Sequence, residues 1–155
     1  MARTLILGGI GILIVVGLII FSRTPVAPTP SAPQAEFGGV SLRIEYATTT
    51  EAREFGLGGR ENIAPDEAML FVFPEDDYYG FWMNDMRISI DIFWLDSQGQ
   101  VVSLEENVSP SSYPNVFYPS TPARYVLETA AGFARAHGVV LGTPLLLKSF
   151  PTVSK

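Results

Sequence analysis

A chain of 155 residues with 47% hydrophobic and 12% aromatic side chains has the length for one domain plus an appendage and enough apolar material for a core, which excludes a disordered polypeptide. It contains no cysteine, so disulfides, thiolate metal sites and cysteine nucleophiles are excluded too. The formal charge of −6 becomes −7 over residues 37–155, which hold 15 acidic and 8 basic side chains, a balance opposed to nucleic-acid binding, whose footprint is a basic patch.

Leu5 to Phe21 is an uninterrupted apolar run of 17 residues between Arg3 and Ser22-Arg23, at the short end for a membrane-spanning helix. A cleavable signal has a shorter apolar core followed closely by small residues. Here Arg23-Thr24-Pro25 and further prolines follow, so residues 1–23 are expected to be an uncleaved anchor and the membrane a partner. The α-amino group and Arg3 on one side, against Arg23 alone on the other, put the N-terminus in the cytoplasm. The rest of the chain is then extracytoplasmic, either periplasmic or extracellular. Residues 24–36 carry Pro25, Pro28, Pro30 and Pro33 and read as an extended tether of roughly 40 Å. The globular domain is expected over residues 37–155.

Within it, Val40 to Ala47 alternates Val40, Leu42, Ile44 and Tyr46 against Ser41, Arg43 and Glu45, the pattern of a half-buried strand. Thr48-Thr49-Thr50-Glu51 starts a short helix over about Glu51 to Leu57, stopped by Gly58-Gly59. Ala68 to Phe73 is a continuous apolar strand that Pro74 and the acidic turn Glu75-Asp76-Asp77 should end. Phe81 to Met86 resumes an extended pattern and leads into Ile88 to Leu95, apolar on both faces except for Asp91. That strand is expected at the centre of the sheet.

Asp96-Ser97-Gln98-Gly99 suits a type I turn closing a hairpin onto Gln100 to Leu104. Ser109 to Pro122 is a long loop with four prolines, either functional or wrapped over the core. It should lie beside Trp82-Met83-Asn84 and form one wall of a shallow groove. Tyr125 to Glu128 is short and ambiguous, Ala130 to His137 suits a helix stopped by Gly138, and Pro144 to Lys148 suits a last strand. These elements predict an α+β domain, mostly antiparallel β, with six or seven strands in a partly closed, barrel-like sheet and two short helices.

Gly56-Leu57-Gly58-Gly59-Arg60, Ala68-Met69-Leu70-Phe71-Val72-Phe73, Phe81-Trp82-Met83-Asn84, Ile90-Asp91-Ile92, Tyr125-Val126-Leu127-Glu128 and Ala131-Gly132 follow one another in order. In order and spacing they resemble the bacterial and archaeal family catalogued as domain of unknown function number 192. The resemblance covers about Ser41 to Lys148. It implies a fold and an address, typically secreted or membrane-tethered, but no reaction. The family usually carries Met where Gly58 stands, Gly where Ala68 stands, and Lys-Asn-Thr where Asn84-Asp85-Met86 stand.

The chemistry-bearing residues are few. His137 is the only histidine and reads as a capping residue at a helix C-terminus, which leaves no serine–histidine relay or histidine-rich metal site. Glu75-Asp76-Asp77 reads as a solvated turn, because adjacent acids point in different directions. Asp91 in an apolar strand requires a partner. Arg60, released from a glycine-rich turn, is the expected one in a structural ion pair, with backbone amides as the alternative. Trp82, Asn84, Asp91, Asn107 and Tyr118 are the candidate binding residues, for a small molecule, glycan or protein of unknown identity. No catalytic set, metal site or cofactor is expected. The leading function is a binding or accessory module. The rival is a hydrolase using Asp91 with Glu105 or Glu128 as a carboxylate pair.

Overall fold

The computed structural model describes residues 35–153. The apolar run and all but the last two residues of the expected tether therefore lie outside the described residues. Among the described residues no helix is long and apolar enough to cross a membrane. The two tether residues inside this range, Ala35 and Glu36, begin strand β1 (Ala35–Phe37). Ala35 and Phe37 are buried, and β1 is paired on both sides.

After β1 come β2 (Val40–Ala47), α1 (Thr50–Phe55), β3 (Glu67–Asp77), β4 (Phe81–Trp82), β5 (Ile90–Leu95) and β6 (Val101–Val108). They are followed by β7 (Val116–Phe117), β8 (Ala123–Ala130), α2 (Phe133–His137) and β9 (Leu145–Leu147). Seven strands form one sheet in the order β6-β5-β8-β3-β2-β1-β9, and β4 pairs separately with β7. The pair β2–β3 is parallel, with α1 in its crossover, and the other neighbours are antiparallel. The sheet curls into a half-barrel whose two edges meet at one end. There Val101 N–H donates to the Thr143 carbonyl at 3.0 Å, Gly142 N–H to the Val101 carbonyl at 2.8 Å, and Leu145 N–H to the Gly99 carbonyl at 2.9 Å. Backbone groups that an open edge would expose are thereby paired.

One apolar cluster takes residues from all seven strands and α2, including Phe37, Leu42, Leu70, Phe93, Leu127 and Phe133. A second takes the alternate residues of β3, β5 and β8, among them Met69, Phe71, Ile92, Trp94 and Val126, and joins them to Leu57 and Met83. Because successive side chains of a strand point to opposite faces, a strand serving both clusters must be apolar throughout. Every residue of β5 is buried, as its two-faced apolar pattern predicts, although the strand lies between β6 and β8, second from one edge, and not at the centre of the sheet.

Several boundaries differ from expectation for identifiable reasons. Strand β3 continues through Pro74 and the acidic stretch, because its ladder with β8 is interrupted between Val72 and Asp77 and a proline is tolerated where no ladder donor is needed. Asp76 there pairs with Arg124 at 2.6 Å. Helix α1 is capped by Thr49, whose side chain accepts from Ala52 N–H at 3.1 Å, as the threonine run predicts. It stops earlier, at Gly56 with φ +52°, a left-handed conformation that favours glycine. Tyr46 faces solvent and Ala47 is buried instead, since Ala47 belongs to the second cluster rather than the first. The ambiguous stretch around Tyr125 is an eight-residue strand, β8, held between β3 and β5.

The Asp96–Gly99 turn forms as read. Asp96 Oδ1 accepts from Gln98 and Gln100 N–H at 2.9 Å each, and Gly99 N–H donates to the Asp96 carbonyl at 3.0 Å. His137 closes α2 before Gly138 with its ring against Phe133.

Candidate functional site

The second cluster is not fully covered. Between α1 and the segment containing β4 lies a cleft of about 250 Å3. One wall is α1, which buries none of its own residues and ends on Phe55, 71% exposed. Gly56 lets the chain turn inward here, because a Cβ at this position would come within 3.3 Å of the Phe71 ring. Arg53 ties the wall down by donating to the Thr48 and Val72 carbonyls at 2.9 and 3.0 Å. Its guanidinium also lies 5.3 Å from the centroid of the Phe73 ring.

The facing wall is Tyr79 to Trp82. Trp94, buried in the second cluster, donates from Nε1 to the Tyr79 carbonyl at 2.8 Å and fixes this segment. Phe81 is wedged edge-on against both Phe71 and Trp94, and Tyr79 stacks on Phe73. Strand β7 pairs with β4 in the register Phe81↔Phe117 and Trp82↔Val116. The Ser109–Pro122 loop thus lies beside Trp82 as expected, but it supports the wall from behind and does not line the cleft. Tyr118 packs over Gly80, where a Cβ would approach its ring to 2.6 Å.

At the floor, beside Phe71, is Glu128 of β8. Its cross-strand neighbours are Met69 and Ile92, so the ladder surrounds the carboxyl with apolar side chains. Glu128 is 5% exposed, and its Oε2 is the sole buried side-chain oxygen or nitrogen without a hydrogen-bond partner among the described residues. Burial pushes its pKa up to about 8, with the Arg60 guanidinium acting weakly in the opposite sense. Near neutral pH the group is therefore mostly a protonated acid, able to donate one hydrogen bond and accept others.

The residues named from sequence separate into two groups. Trp82 and Asn84 line the cleft. Asp91 does not: residues 91 and 128 pair with adjacent partners across the ladder, Asp91↔Thr129 and Ile92↔Glu128, so the two carboxyls point to opposite faces of the sheet. Asp91 is completely buried. It accepts from Asn107 N–H at 2.8 Å and Gly132 N–H at 3.0 Å through Oδ1, and from Ala134 N–H at 2.8 Å through Oδ2. The ion pair expected between Arg60 and Asp91 does not form. Arg60 reaches Glu45 at 2.6 Å instead, because β2 passes beside the glycine turn, while the start of α2 supplies Asp91 with amide donors. Asn107 has φ +52°, a conformation asparagine tolerates better than most residues, and its side chain is outside the cleft.

The sequence does not mark Phe55, Phe73, Tyr79 and Phe81 as cleft residues, and it offers Glu128 only as half of a carboxylate pair. One signal was present. Glu128 follows Tyr125-Val126-Leu127 in an apolar run, the same oddity that marks Asp91.

No curated protein matches the chain. Four chains of solved structures do, two of which are described here. One, from Sinorhizobium meliloti 1021 and described as a candidate transcription regulator, is 34% identical over 67% of this chain and 80% of its own, with a TM-score of 0.65. The other, a protein of unknown function from Novosphingobium aromaticivorans DSM 12444, is 27% identical over 67% of this chain and 74% of its own, with a TM-score of 0.64. The model of the DUF192 family, described as an uncharacterized ACR, matches residues 33–147. With the sheet, the cleft and the motif order of Gly56 to Gly132 all inside that span, the chain belongs to the DUF192 family.

Proposed function

We propose that this protein is a membrane-tethered, extracytoplasmic binding module whose ligand occupies the aromatic cleft between α1 and β4. The observation that carries the reading is Glu128: a buried carboxyl with an unpartnered oxygen at the floor of an aromatic-walled cleft. Such a group lowers stability by about 1–3 kcal/mol unless something pairs with it, and buried polar groups held at that disadvantage concentrate at functional sites. The tether rests on the apolar run Leu5 to Phe21 and the prolines after it.

A carboxylate-pair hydrolase is not favoured. Glu128 is the only buried carboxyl in the cleft, Asp91 faces away from it, and Glu105 is solvent-exposed on β6. The description of the Sinorhizobium protein would call for a nucleic-acid surface, and the 15 acidic against 8 basic side chains of residues 37–155 argue for a small ligand instead.

Two measurements test the proposal. Full-length protein is expected to stay with membranes after carbonate washing, and release of the intact domain by cleavage in cells would remove the anchor. A screen of small aromatic and amphipathic compounds, followed by tryptophan emission, is expected to yield ligands whose binding Trp82→Ala weakens. Ligands insensitive to that change would place the site elsewhere.

A further inference from the structure

We propose that the cleft selects an organic ammonium ion, its cationic head against the Glu128 carboxyl and its body between the rings of Phe73, Phe81 and Trp82. This deepens the binding-module reading and rests on it.

The unpartnered, buried Oε2 of Glu128 is the first ground. Once Glu128 ionises, a ligand that offsets its buried charge must bring a positive one, and the surrounding Met69 and Ile92 supply neither charge nor donor. The second ground is the walls. Several aromatic side chains, among them Phe55, Phe81 and Trp82, line a small concavity, and aromatic rings hold quaternary and alkylated ammonium groups. One ring already carries a cation, the Arg53 guanidinium over Phe73.

The third ground is the state of the charges around Glu128. From the glycine turn, Arg60 is bound to Glu45. From α1, Arg53 is bound to the Thr48 and Val72 carbonyls, and Glu54 adds a negative charge to the rim. Tyr79, from the facing wall, is neutral because burial raises its pKa further above its ordinary value. The neighbours on β3 and β5 are uncharged. Neither arginine donates to Glu128, so the place opposite its carboxyl is open to a cation from outside. With Glu128 ionised, Glu54 and Glu128 outnumber Arg53, the cation among the lining residues, so the balance favours a cationic ligand over an anionic one.

The test uses full-length protein and two probes, benzyltrimethylammonium and benzyl alcohol, followed by tryptophan emission and calorimetry from pH 6 to pH 9. The first probe is charged at every pH, so any pH dependence belongs to the protein. With Glu128 titrating at about 8, the ammonium probe is expected to bind about tenfold more tightly at pH 7 than at pH 6, and to level off above pH 8. Benzyl alcohol should bind more weakly and lose affinity over the same range.

Glu128→Gln should abolish the pH dependence and weaken ammonium binding at pH 8 at least about tenfold, the equivalent of about 1.4 kcal/mol. Because that change could also disturb packing, Trp82→Ala provides a second reading: weaker binding with the pH dependence intact. Benzyl alcohol binding as well as the ammonium probe, or affinity for the ammonium probe that is flat with pH, would overturn the ammonium proposal and leave the cleft a binding site. Failure of both probes to bind folded protein at millimolar concentration would overturn both.

Discussion

The Oδ2 atom of Asp91 accepts a 2.8 Å hydrogen bond from the backbone N–H of Ala134, 43 residues further along the chain. The same carboxylate holds Asn107 and Gly132, whose backbones are both left-handed with φ +52° and +84°. One side chain therefore fixes the end of β6, the turn after β8 and the start of α2. Asp91→Ala would leave three amide donors unsatisfied and is expected to destabilise the protein by about 3 kcal/mol. Arg60→Ala breaks only a partly exposed pair with Glu45 and should cost less than about 1 kcal/mol. Urea melts of the double variant should show the two effects adding, since the residues share no partner. A coupling of 1 kcal/mol or more would mean that they do.

Glu128 gives the stability an unusual pH dependence. Its folded-state pKa of about 8 lies above the ordinary 4.5, so between those values the folded protein keeps a proton that the unfolded chain releases. Stability from this group is complete below about pH 4.5, falls as pH rises, and is lowest above about pH 8. The slope is about 1.4 kcal/mol per pH unit and the loss at pH 7 about 3 kcal/mol. Relative to wild type, Glu128→Gln should gain stability steadily from pH 5 to pH 8 in thermal melts. A difference between the two proteins that stays constant over that range would show that Glu128 ionises normally.

The cleft walls should divide into core and rim. Phe81 packs on Phe71 and Trp94, and Phe81→Ala is expected to cost about 2–3 kcal/mol. Phe55 and Trp82 are 71% and 54% exposed, and alanine at either should change stability by no more than about 0.5 kcal/mol. Equal losses for Trp82→Ala and Phe81→Ala in chemical denaturation would make Trp82 part of the core.

Gly99 joins the turn, the barrel closure and the C-terminal segment. It has φ +80°, its carbonyl accepts from Leu145 N–H, and the Phe150 ring occupies the place a Cβ would take. Gly99→Ala should therefore cost about 1–3 kcal/mol and release Phe150 from its stack on Tyr125. The second effect is visible as faster amide exchange around Leu145.

How much of this was legible in the sequence depends on the range of the interactions. The alternation of Val40 to Ile44, the threonine cap of α1, the Asp96–Gly99 turn and the two-faced apolar run of β5 are local patterns, and each forms. Strand β1 was hidden because three residues at the end of a proline-rich stretch carry no periodicity; only β2 and β9 make them a strand. Asp91 was recognisable as needing a partner, but the choice between Arg60 and the amides of α2 is made by a contact 43 residues away. The cleft was half visible. Trp82 and Asn84 stand in it, whereas Phe55 and Phe73 reach it only because α1 folds back over the sheet face that β3, β5 and β8 share.

The place of β8 in the sheet has a kinetic consequence. Its residues, 123–130, bridge β3 and β5, so each of those earlier strands lacks one of its two partners until about four-fifths of the chain has emerged. Until then β3 and β5 each present an apolar, unpaired edge, the kind of surface on which chains associate wrongly. Pairing such as Leu70 with Leu127 must also close a long loop before any contact rewards it, which places refolding on the millisecond-to-second scale of non-local β proteins. During synthesis, the danger to this protein is therefore concentrated in the interval between the appearance of β5 and the arrival of β8.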